Sequence, residues 1–278
     1  MKKITRRSFL AAAGLTAAAL ALTACGGSSS STASSTASSA AASSEAASSS
    51  AAAELTTVEA GKLTMATNAT FPPYEMTTDT GAFEGIDVDT AQAIAEKLGL
   101  ELQIDDMEFD AALLSVQQGK ADIVMAGVTV TDERKAVMDF SGSYATGIQS
   151  IIVPEGSDIA TPDDLAGKKI GTQRGTTGYI YCSDDFGDEN VVAYDSGLTA
   201  VQALNNGQVD AVVIDNAPAQ EYVAANPGLV ILDTSYAEED YAIGMAKGSA
   251  LEDAINAALE ELKADGTLQS IVDKYITA

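Results

Sequence analysis

One phrase of the sequence occurs twice and limits the choice of fold more than any other feature. Residues 113–127 read LLSVQQGKADIVMAG, and residues 200–215 read AVQALNNGQVDAVVID. Each joins a helical pattern to a stop glycine, an aspartate three residues later and an apolar strand. A constant offset of 88 residues sets Gly119 against Gly207 and Gly127 against Asp215. Coincidence is the alternative, because helix–glycine–strand is common in α/β proteins. The repetition predicts two similar α/β halves, with ligands beyond the carboxyl ends of their strands.

Strand and helix patterns alternate along the whole globular part. Apolar or alternating runs at 62–67, 101–104, 121–125, 168–172 and 209–214 predict strands, and helical patterns separate them. Two further helical faces close the chain after residue 250 and are expected to pack on the first half. This order predicts an α/β fold with a mainly parallel sheet covered by helices.

The segment MAGVTVTDERK (125–135) follows one of these strands and suits a carboxylate ligand. Thr131 or Asp132 is placed to cap a short helix whose first turn carries Arg134, and a guanidinium matches two carboxylate oxygens. After the N-terminal segment, the chain contains only two arginines, Arg134 and Arg174, each in a loop after a predicted strand. The alternative for Arg134 is a surface salt bridge.

Composition excludes several classes of function. Forty acidic residues against fifteen basic ones give a formal net charge of −25, which disfavours nucleic-acid and anionic-membrane partners. No histidine is present, so Ser-His-Asp, Cys-His and His-zinc chemistry are excluded. Cys182 is the only cysteine after residue 25, so it has no partner for an internal disulfide there and is expected to be a buried, inert thiol.

The first 54 residues read as targeting and tether rather than fold. Residues 1–25 combine a basic start, an apolar stretch and the lipobox LTAC, so Cys25 is the expected lipidated N-terminus. The run TRRSFL (5–10) resembles a twin-arginine motif, and it leaves the choice between that route and the Sec route open. Cleavage would remove four basic residues and no acidic one, lowering the net charge to about −29. Residues 26–54, rich in Ser and Ala, predict a flexible tether.

Six motifs in this order resemble the family-three extracellular solute-binding proteins, the amino-acid receptors of ABC importers. The motifs are NATFPPYE (68–75), FEGIDVDTAQAIAEKLG (83–99), FDAALLSVQQGKADIVMAGVTVTDERK (109–135), DLAGKKIGTQRGTT (164–177), QVDAVVIDNAPA (208–219) and ELKADGTLQSIVDKY (261–275). The resemblance covers roughly residues 61–278 and implies a two-lobed periplasmic-binding-protein fold of the Venus-flytrap type. It places lobe 1 at 55–147 plus 242–278, lobe 2 at 148–241, and two hinge crossovers near 146–149 and 238–242.

The resemblance also implies the ligand site. Arg134 resembles the clamp for the ligand's α-carboxylate, helped by backbone donors near Thr129 and Thr177. Asp215 resembles the partner of the α-ammonium, with the Gly127 carbonyl and the Thr129 hydroxyl. The alternative role for Asp215 is a helix cap before Pro218. Phe71 and Phe109 resemble the rings that enclose the ligand side chain, and their alternative role is core packing. The predicted ligand-binding set is Asn68, Phe71, Tyr74, Phe109, Ala126, Gly127, Thr129, Arg134, Gln173, Arg174, Thr176, Thr177 and Asp215.

Selectivity is expected from Asn68, Tyr74, Ala126, Gln173 and Arg174. Relatives that bind basic side chains resemble one another in an acidic residue where this chain has Asn68, so a polar neutral ligand is favoured and a basic one disfavoured. Arg174, if it points inward, would favour an acidic ligand.

The resemblance predicts a binding protein and no enzyme. It would be a monomer, lipid-anchored at the extracytoplasmic face of the cell membrane, with a free amino acid and a membrane permease as partners and no cofactor, metal or catalytic residue. The main alternative is an enzyme on the same fold, such as a cyclohexadienyl dehydratase, with Glu75, Lys169 or Asp215 as acid or base. A sensory module is the second alternative.

Overall fold

The computed structural model describes residues 55–276. The predicted signal segment, Cys25 and the tether lie outside the described residues. Between residues 55 and 276, no helix is both long and apolar enough to cross a bilayer.

The elements alternate much as the sequence predicts. The strands are β1 (Lys62–Thr67), β2 (Thr70–Phe71), β3 (Glu75–Thr77), β4 (Phe83–Glu84), β5 (Glu101–Asp106), β6 (Ile123–Val124), β7 (Met138–Pro154), β8 (Ile170–Gln173), β9 (Val191–Tyr194), β10 (Ala211–Asp215), β11 (Leu229–Ile231) and β12 (Ala237–Ala246). The helices are α1 (Ile86–Leu98), α2 (Phe109–Gln117), α3 (Asp132–Lys135), α4 (Thr177–Phe186), α5 (Gly197–Asn205), α6 (Asn216–Ala225), α7 (Glu252–Ala264) and α8 (Thr267–Tyr275).

The main sheet has two parallel wings and an antiparallel centre. Its strand order is β5-β1-β6-β12-β7-β10-β8-β9, with β11 also paired to β7. β1 runs parallel to β5 and β6, and β8 runs parallel to β9 and β10, whereas β7 and β12 run antiparallel to their neighbours. The prediction of a mainly parallel sheet therefore holds for each wing but not for the centre, where two long strands run in opposite directions.

The internal repeat is visible in the structure. Gly119 and Gly207 each follow a helix with φ of 66° and 67°, a conformation that glycine adopts without steric cost. Asp122 then accepts the backbone N–H of Thr64, and Asp210 accepts that of Lys169, each at 2.8 Å. Each aspartate thus fixes the start of a neighbouring parallel strand. The same local chemistry builds both wings, so the repeat in the sequence corresponds to a repeat in the structure.

The two predicted crossover segments lie side by side at the centre of the sheet. β12 pairs with β7 from Ala237 opposite Gln149 to Tyr241 opposite Ala145, and the register shifts after Tyr241. β7 continues into pairing with β10 and β11. These two strands are therefore the chain's passage from one wing to the other.

Helices at the chain end pack on the first wing, as predicted. α7 and α8 contact α1, and Lys97 bridges to Glu261 at 3.2 Å while Lys274 bridges to Asp89 at 2.7 Å. One local expectation needs correction, because the predicted strand at 121–125 is only two residues long. Helix α6 begins at Asn216, two residues before Pro218, and the NATFPPYE segment contributes two short strands to a separate sheet of order β2-β3-β4.

Candidate ligand-binding site

A small cavity lies between the two wings, where the strands of both end. Its volume is about 20 Å³, which is room for about one water molecule. Residues from both predicted lobes line it. Those predicted from the sequence are Asn68, Phe71, Phe109, Ala126, Gln173, Thr176 and Asp215, and those not predicted are Glu75, Gln149, Val213 and Ile214.

Arg134 is a buried cation held by carbonyl oxygens. Thr131 caps the single turn of α3 by accepting the Arg134 backbone N–H at 3.2 Å, which orients the side chain inward, where it is 8% exposed. The guanidinium donates to the carbonyls of Thr129 at 2.8 Å and Gly175 at 3.2 Å, and lies 5.3 Å from the Phe109 ring centroid. Burial lowers the pKa of Arg134, but an arginine stays charged in proteins. No described residue pairs with it as a salt bridge, so the surface-pair alternative is wrong.

Asp215 is a buried anion at the end of β10. It is 7% exposed and immediately precedes α6, yet its side chain makes no capping hydrogen bond. One oxygen, Oδ2, accepts from Gln149 Nε2 at 2.8 Å. Burial raises the pKa of Asp215 to about 7, and the charge of Glu239 acts in the same direction. The helix-cap alternative is therefore wrong, and the carboxylate is available to a ligand.

Glu239 is a buried carboxylate that the sequence analysis did not select. Its Oε2 accepts three hydrogen bonds, from Thr129 Oγ1 at 3.1 Å, Thr177 Oγ1 at 2.8 Å and Gln149 Nε2 at 3.1 Å. A signal existed in the sequence, because strand alternation puts Glu239 on the same buried face as Tyr241. Thr129, whose hydroxyl is predicted to bind the ligand's ammonium group, thus donates its proton to Glu239.

Aromatic rings and two amides form another part of the cavity wall. Phe71 stacks on Tyr74 with centroids 5.9 Å apart, and Tyr74 meets Tyr241 edge-on at 5.3 Å. Gln173 Nε2 donates to Asn68 Oδ1 at 2.8 Å across the cleft. Tyr74 does not line the cavity itself but supports Phe71 from behind. The structure thus brings together two of the residues from which selectivity is expected, Asn68 and Gln173.

A pair of buried carboxyl groups lies behind the amides. Glu75, which lines the cavity, is 1% exposed, and Asp87 is fully buried. Asp87 accepts the backbone N–H of Gly127 at 2.9 Å. Burial raises the pKa of Asp87 to about 6, and burial together with the Asp87 charge raises the pKa of Glu75 well above its ordinary value. A neutral Glu75 is the state that this environment favours when no cation is near.

The remaining predicted residues take different places. Thr177 is buried and reaches the site through Glu239, whereas Thr176 caps α4 by accepting the Tyr179 N–H at 3.3 Å. Arg174 is 57% exposed in its side chain and lies 3.7 Å from Asp195 on the surface. Arg174 therefore lies outside the cavity. The expectation of an acidic ligand depended on an inward-pointing Arg174, so the structure does not support it.

Two hydrogen bonds besides the amide pair close the mouth of the cleft. Tyr222 donates its hydroxyl to the carbonyl of Thr70 at 2.6 Å, and Arg134 reaches Gly175 as described above. Each bond joins a residue of predicted lobe 1 to one of predicted lobe 2. The described arrangement is a closed cleft.

The comparison with known proteins agrees with this geometry. Residues 63–278 match the model of the bacterial extracellular solute-binding proteins, family 3. The L-cystine-binding protein TcyJ of Escherichia coli K12 is 33% identical over 225 residues, covering 79% of this chain and 84% of that protein. The arginine-binding extracellular protein ArtP of Bacillus subtilis 168 is 32% identical over 226 residues, covering 78% and 86%. The crystal structure of an ancestral arginine-binding protein bound to glutamine is 42% identical, with a TM-score of 0.75 and coverage of 78% and 99%. The chain thus has the two-lobed α/β fold and belongs to the family-3 bacterial extracellular solute-binding proteins.

Proposed function

We propose that this protein binds a free amino acid between its two lobes and delivers it to the permease of an ABC importer. The observation that carries the proposal is a pair of buried, opposite charges at separate points of one closed cleft. Arg134 and Asp215 are each more than nine-tenths buried, and neither forms an ion pair with a described residue. An amino-acid backbone supplies a carboxylate and an ammonium group together, so one ligand would satisfy both.

Several neighbours support this assignment of charges. Arg134 keeps further N–H donors without a hydrogen-bond partner among the described residues, which suits a carboxylate. Asp215 Oδ1 accepts no hydrogen bond of good geometry, although the Tyr241 hydroxyl lies close by, which suits an ammonium group. The relatives are named as binding proteins, so the enzyme alternative on this fold has less support than binding.

The proposed ligand is a polar amino acid, and a cationic side chain is included. Asn68 carries no charge, which is the reason the sequence disfavours a basic ligand. Glu75 provides a carboxyl group in the same cavity, however, and a cation beside it would favour its ionised form. The relatives fit this range of polar ligands, because two are named for binding cystine and arginine and the ancestral arginine-binding protein was solved with glutamine bound.

A thermal-shift screen of the twenty amino acids and cystine tests the proposal. A ligand present at a hundred times its Kd adds about 2.7 kcal/mol to the free energy of unfolding. We expect at least one polar amino acid to raise the Tm by several degrees. If no member of the panel raises the Tm, the protein does not bind amino acids and the proposal fails.

The proposed location is the extracytoplasmic membrane face, with lipid on Cys25 and a monomer free to move on its tether. The lobe limits after residues 147 and 241 are part of the same proposal. Support comes from the lipobox followed by an almost uncharged spacer. Cys25→Ser should shift the protein from the membrane fraction to the soluble fraction. A Cys25→Ser protein that stays wholly in the membrane fraction would contradict the anchor.

A further inference from the structure

Asp215 and Glu239 form an unusual pair of neighbouring buried carboxylates. One amide nitrogen, Gln149 Nε2, donates to both, at 2.8 Å to Asp215 Oδ2 and 3.1 Å to Glu239 Oε2. Both side chains are 7% exposed, and Gln149 is 2% exposed. No described lysine or arginine lies within ion-pair distance of either carboxylate, although the charge of Glu239 acts on Arg134 and opposes the lowering of its pKa by burial. Two like charges in a buried place repel each other unless a cation joins them.

The hydrogen bonds to Glu239 also fix the polarity of two hydroxyl groups. A hydroxyl has one proton, and Thr129 and Thr177 both give theirs to Glu239 Oε2. Toward any other partner, each oxygen is then an acceptor only. A ligand at this point must therefore present a donor, such as an ammonium group, and not a carboxylate.

We infer that Glu239 is a positioning residue, which adds a second negative charge beside Asp215 and keeps the Thr129 hydroxyl turned as an acceptor for the ligand's ammonium group. The inference rests on the proposed function and assigns that role to a residue that neither the motifs nor the relatives' names identify. Glu239 lies on β12, directly opposite Gly147 on β7, so one of the two crossover strands carries this charge. The zwitterion is oriented with its ammonium toward this pair and its carboxylate toward Arg134.

The alternative is a purely structural role, in which Glu239 holds Thr129 and Thr177 together and so stabilises the fold. The two roles predict opposite signs for one substitution. Glu239→Gln removes the charge and replaces the charge-assisted hydrogen bonds from the two threonine hydroxyls by weaker ones to an amide oxygen. In the structural role, the ligand-free protein loses stability. In the proposed role, the ligand-free protein gains stability because a buried repulsion is removed, while ligand binding weakens.

The test compares the wild type with Glu239→Gln, Glu239→Asp and Glu238→Gln by thermal shift with the twenty amino acids and cystine. Glu238 is the matched control, since it is the neighbouring glutamate on the same strand and is exposed. For Glu239→Gln we expect an unchanged or higher ligand-free Tm, and affinity at least tenfold lower for every amino acid that stabilises the wild type. Glu239→Asp, which keeps the charge, should retain more affinity than Glu239→Gln. Glu238→Gln should match the wild type.

Each other result overturns the inference. A lower ligand-free Tm in Glu239→Gln would show that Glu239 has a structural role. Wild-type affinities in this variant would show that Glu239 does not contribute to ligand binding. Equal losses in Glu239→Asp and Glu239→Gln would show that the charge is not what matters. If no amino acid stabilises the wild type, both the proposed function and this inference fail. If the wild type binds an amino acid, a loss of affinity that occurs only in the Glu239 variants tests the role of Glu239 alone.

Discussion

At the scale of single residues, burial gives Arg134 and Asp215 their significance. A buried charge without a partner is costly, and replacing one member of a buried pair leaves the other uncompensated. Among residues 55–276, Arg134 donates to carbonyl oxygens and Asp215 accepts from one amide beside the Tyr241 hydroxyl, so each meets its opposite charge when an amino acid binds.

Arg134→Ala and Asp215→Ala should therefore nearly abolish ligand binding. The expected loss is about 3–5 kcal/mol, or on the order of a hundred- to several-thousand-fold in Kd, as measured by calorimetric titration. Both variants should keep the wild-type circular dichroism spectrum, because Asp215 lies at the end of β10 and Arg134 on the single turn of α3. Arg174→Ala is the control, since this arginine is exposed and should bind normally. Near-wild-type affinity in either of the first two variants would contradict the site.

The sequence could predict these two residues but not their neighbours. Arg134 stands out as one of only two arginines after the N-terminal segment, and Asp215 stands out as a charged residue at the end of an apolar strand. Gln149 and Glu239 contact each other across 90 residues of sequence, and that contact depends on the register of β7 against β12. Local pattern does not set such a register. Glu75 was visible in its motif, but its burial beside Asp87 depends on tertiary packing.

At the scale of elements, β7 and β12 carry both the hinge and part of the site. The sequence indicates where the chain crosses, yet it gives no direction for the crossing strands, because a long apolar run fits either. Gly147 sits at the closest approach of this pair. A Cβ there would lie 2.5 Å from both Asp215 Oδ1 and the Tyr241 hydroxyl, closer than such contacts occur.

Gly147→Ala should therefore displace the Asp215 carboxylate and weaken ligand binding by about tenfold or more, comparable with losing a hydrogen bond to a charged group. Gly142→Ala is the matched control on the same strand. A Cβ at Gly142 meets nothing nearer than 3.7 Å, so its affinity should equal that of the wild type. Titration calorimetry of the two variants decides, and equal affinities would show that the crossover tolerates the methyl group.

At the scale of the whole molecule, the size of the cavity requires motion. A space of about 20 Å³ does not admit an amino acid, so the lobes must separate before a ligand enters. A ligand shifts the equilibrium between open and closed states by the difference in its affinity for them. Because both lobes contact the ligand in the closed state, ligand binding should favour closure. Opening must break the hydrogen bonds between Asn68 and Gln173, between Thr70 and Tyr222 and between Arg134 and Gly175.

Small-angle scattering should therefore show a smaller radius of gyration with saturating ligand than without it. Arg134→Ala should not compact at the same ligand concentration, because it lacks the charge that anchors the ligand across the cleft. An unchanged radius in the wild type would contradict ligand-driven closure.

Buried carboxyl groups make pH act in opposite directions on stability and on binding. In the closed arrangement, burial raises the pKa of Asp215 from 3.8 to about 7, so between these values the closed, ligand-free protein holds a proton that the unfolded chain releases. The free energy of unfolding of the ligand-free protein therefore receives a contribution from Asp215 that is largest below pH 4 and is lost as the pH rises toward 7. Asp87, with a pKa of about 6, acts in the same direction.

Ligand affinity should follow the opposite course. An ammonium group needs the ionised form of Asp215, so affinity should be constant above about pH 7 and fall by roughly tenfold per pH unit below it. Calorimetric titration at pH 8, 7, 6 and 5 measures this slope, with Asp184→Asn as a control that removes an exposed aspartate. An affinity that stays constant down to pH 5 would mean that Asp215 remains ionised there, and that its burial does not hold a proton in the way the structure indicates.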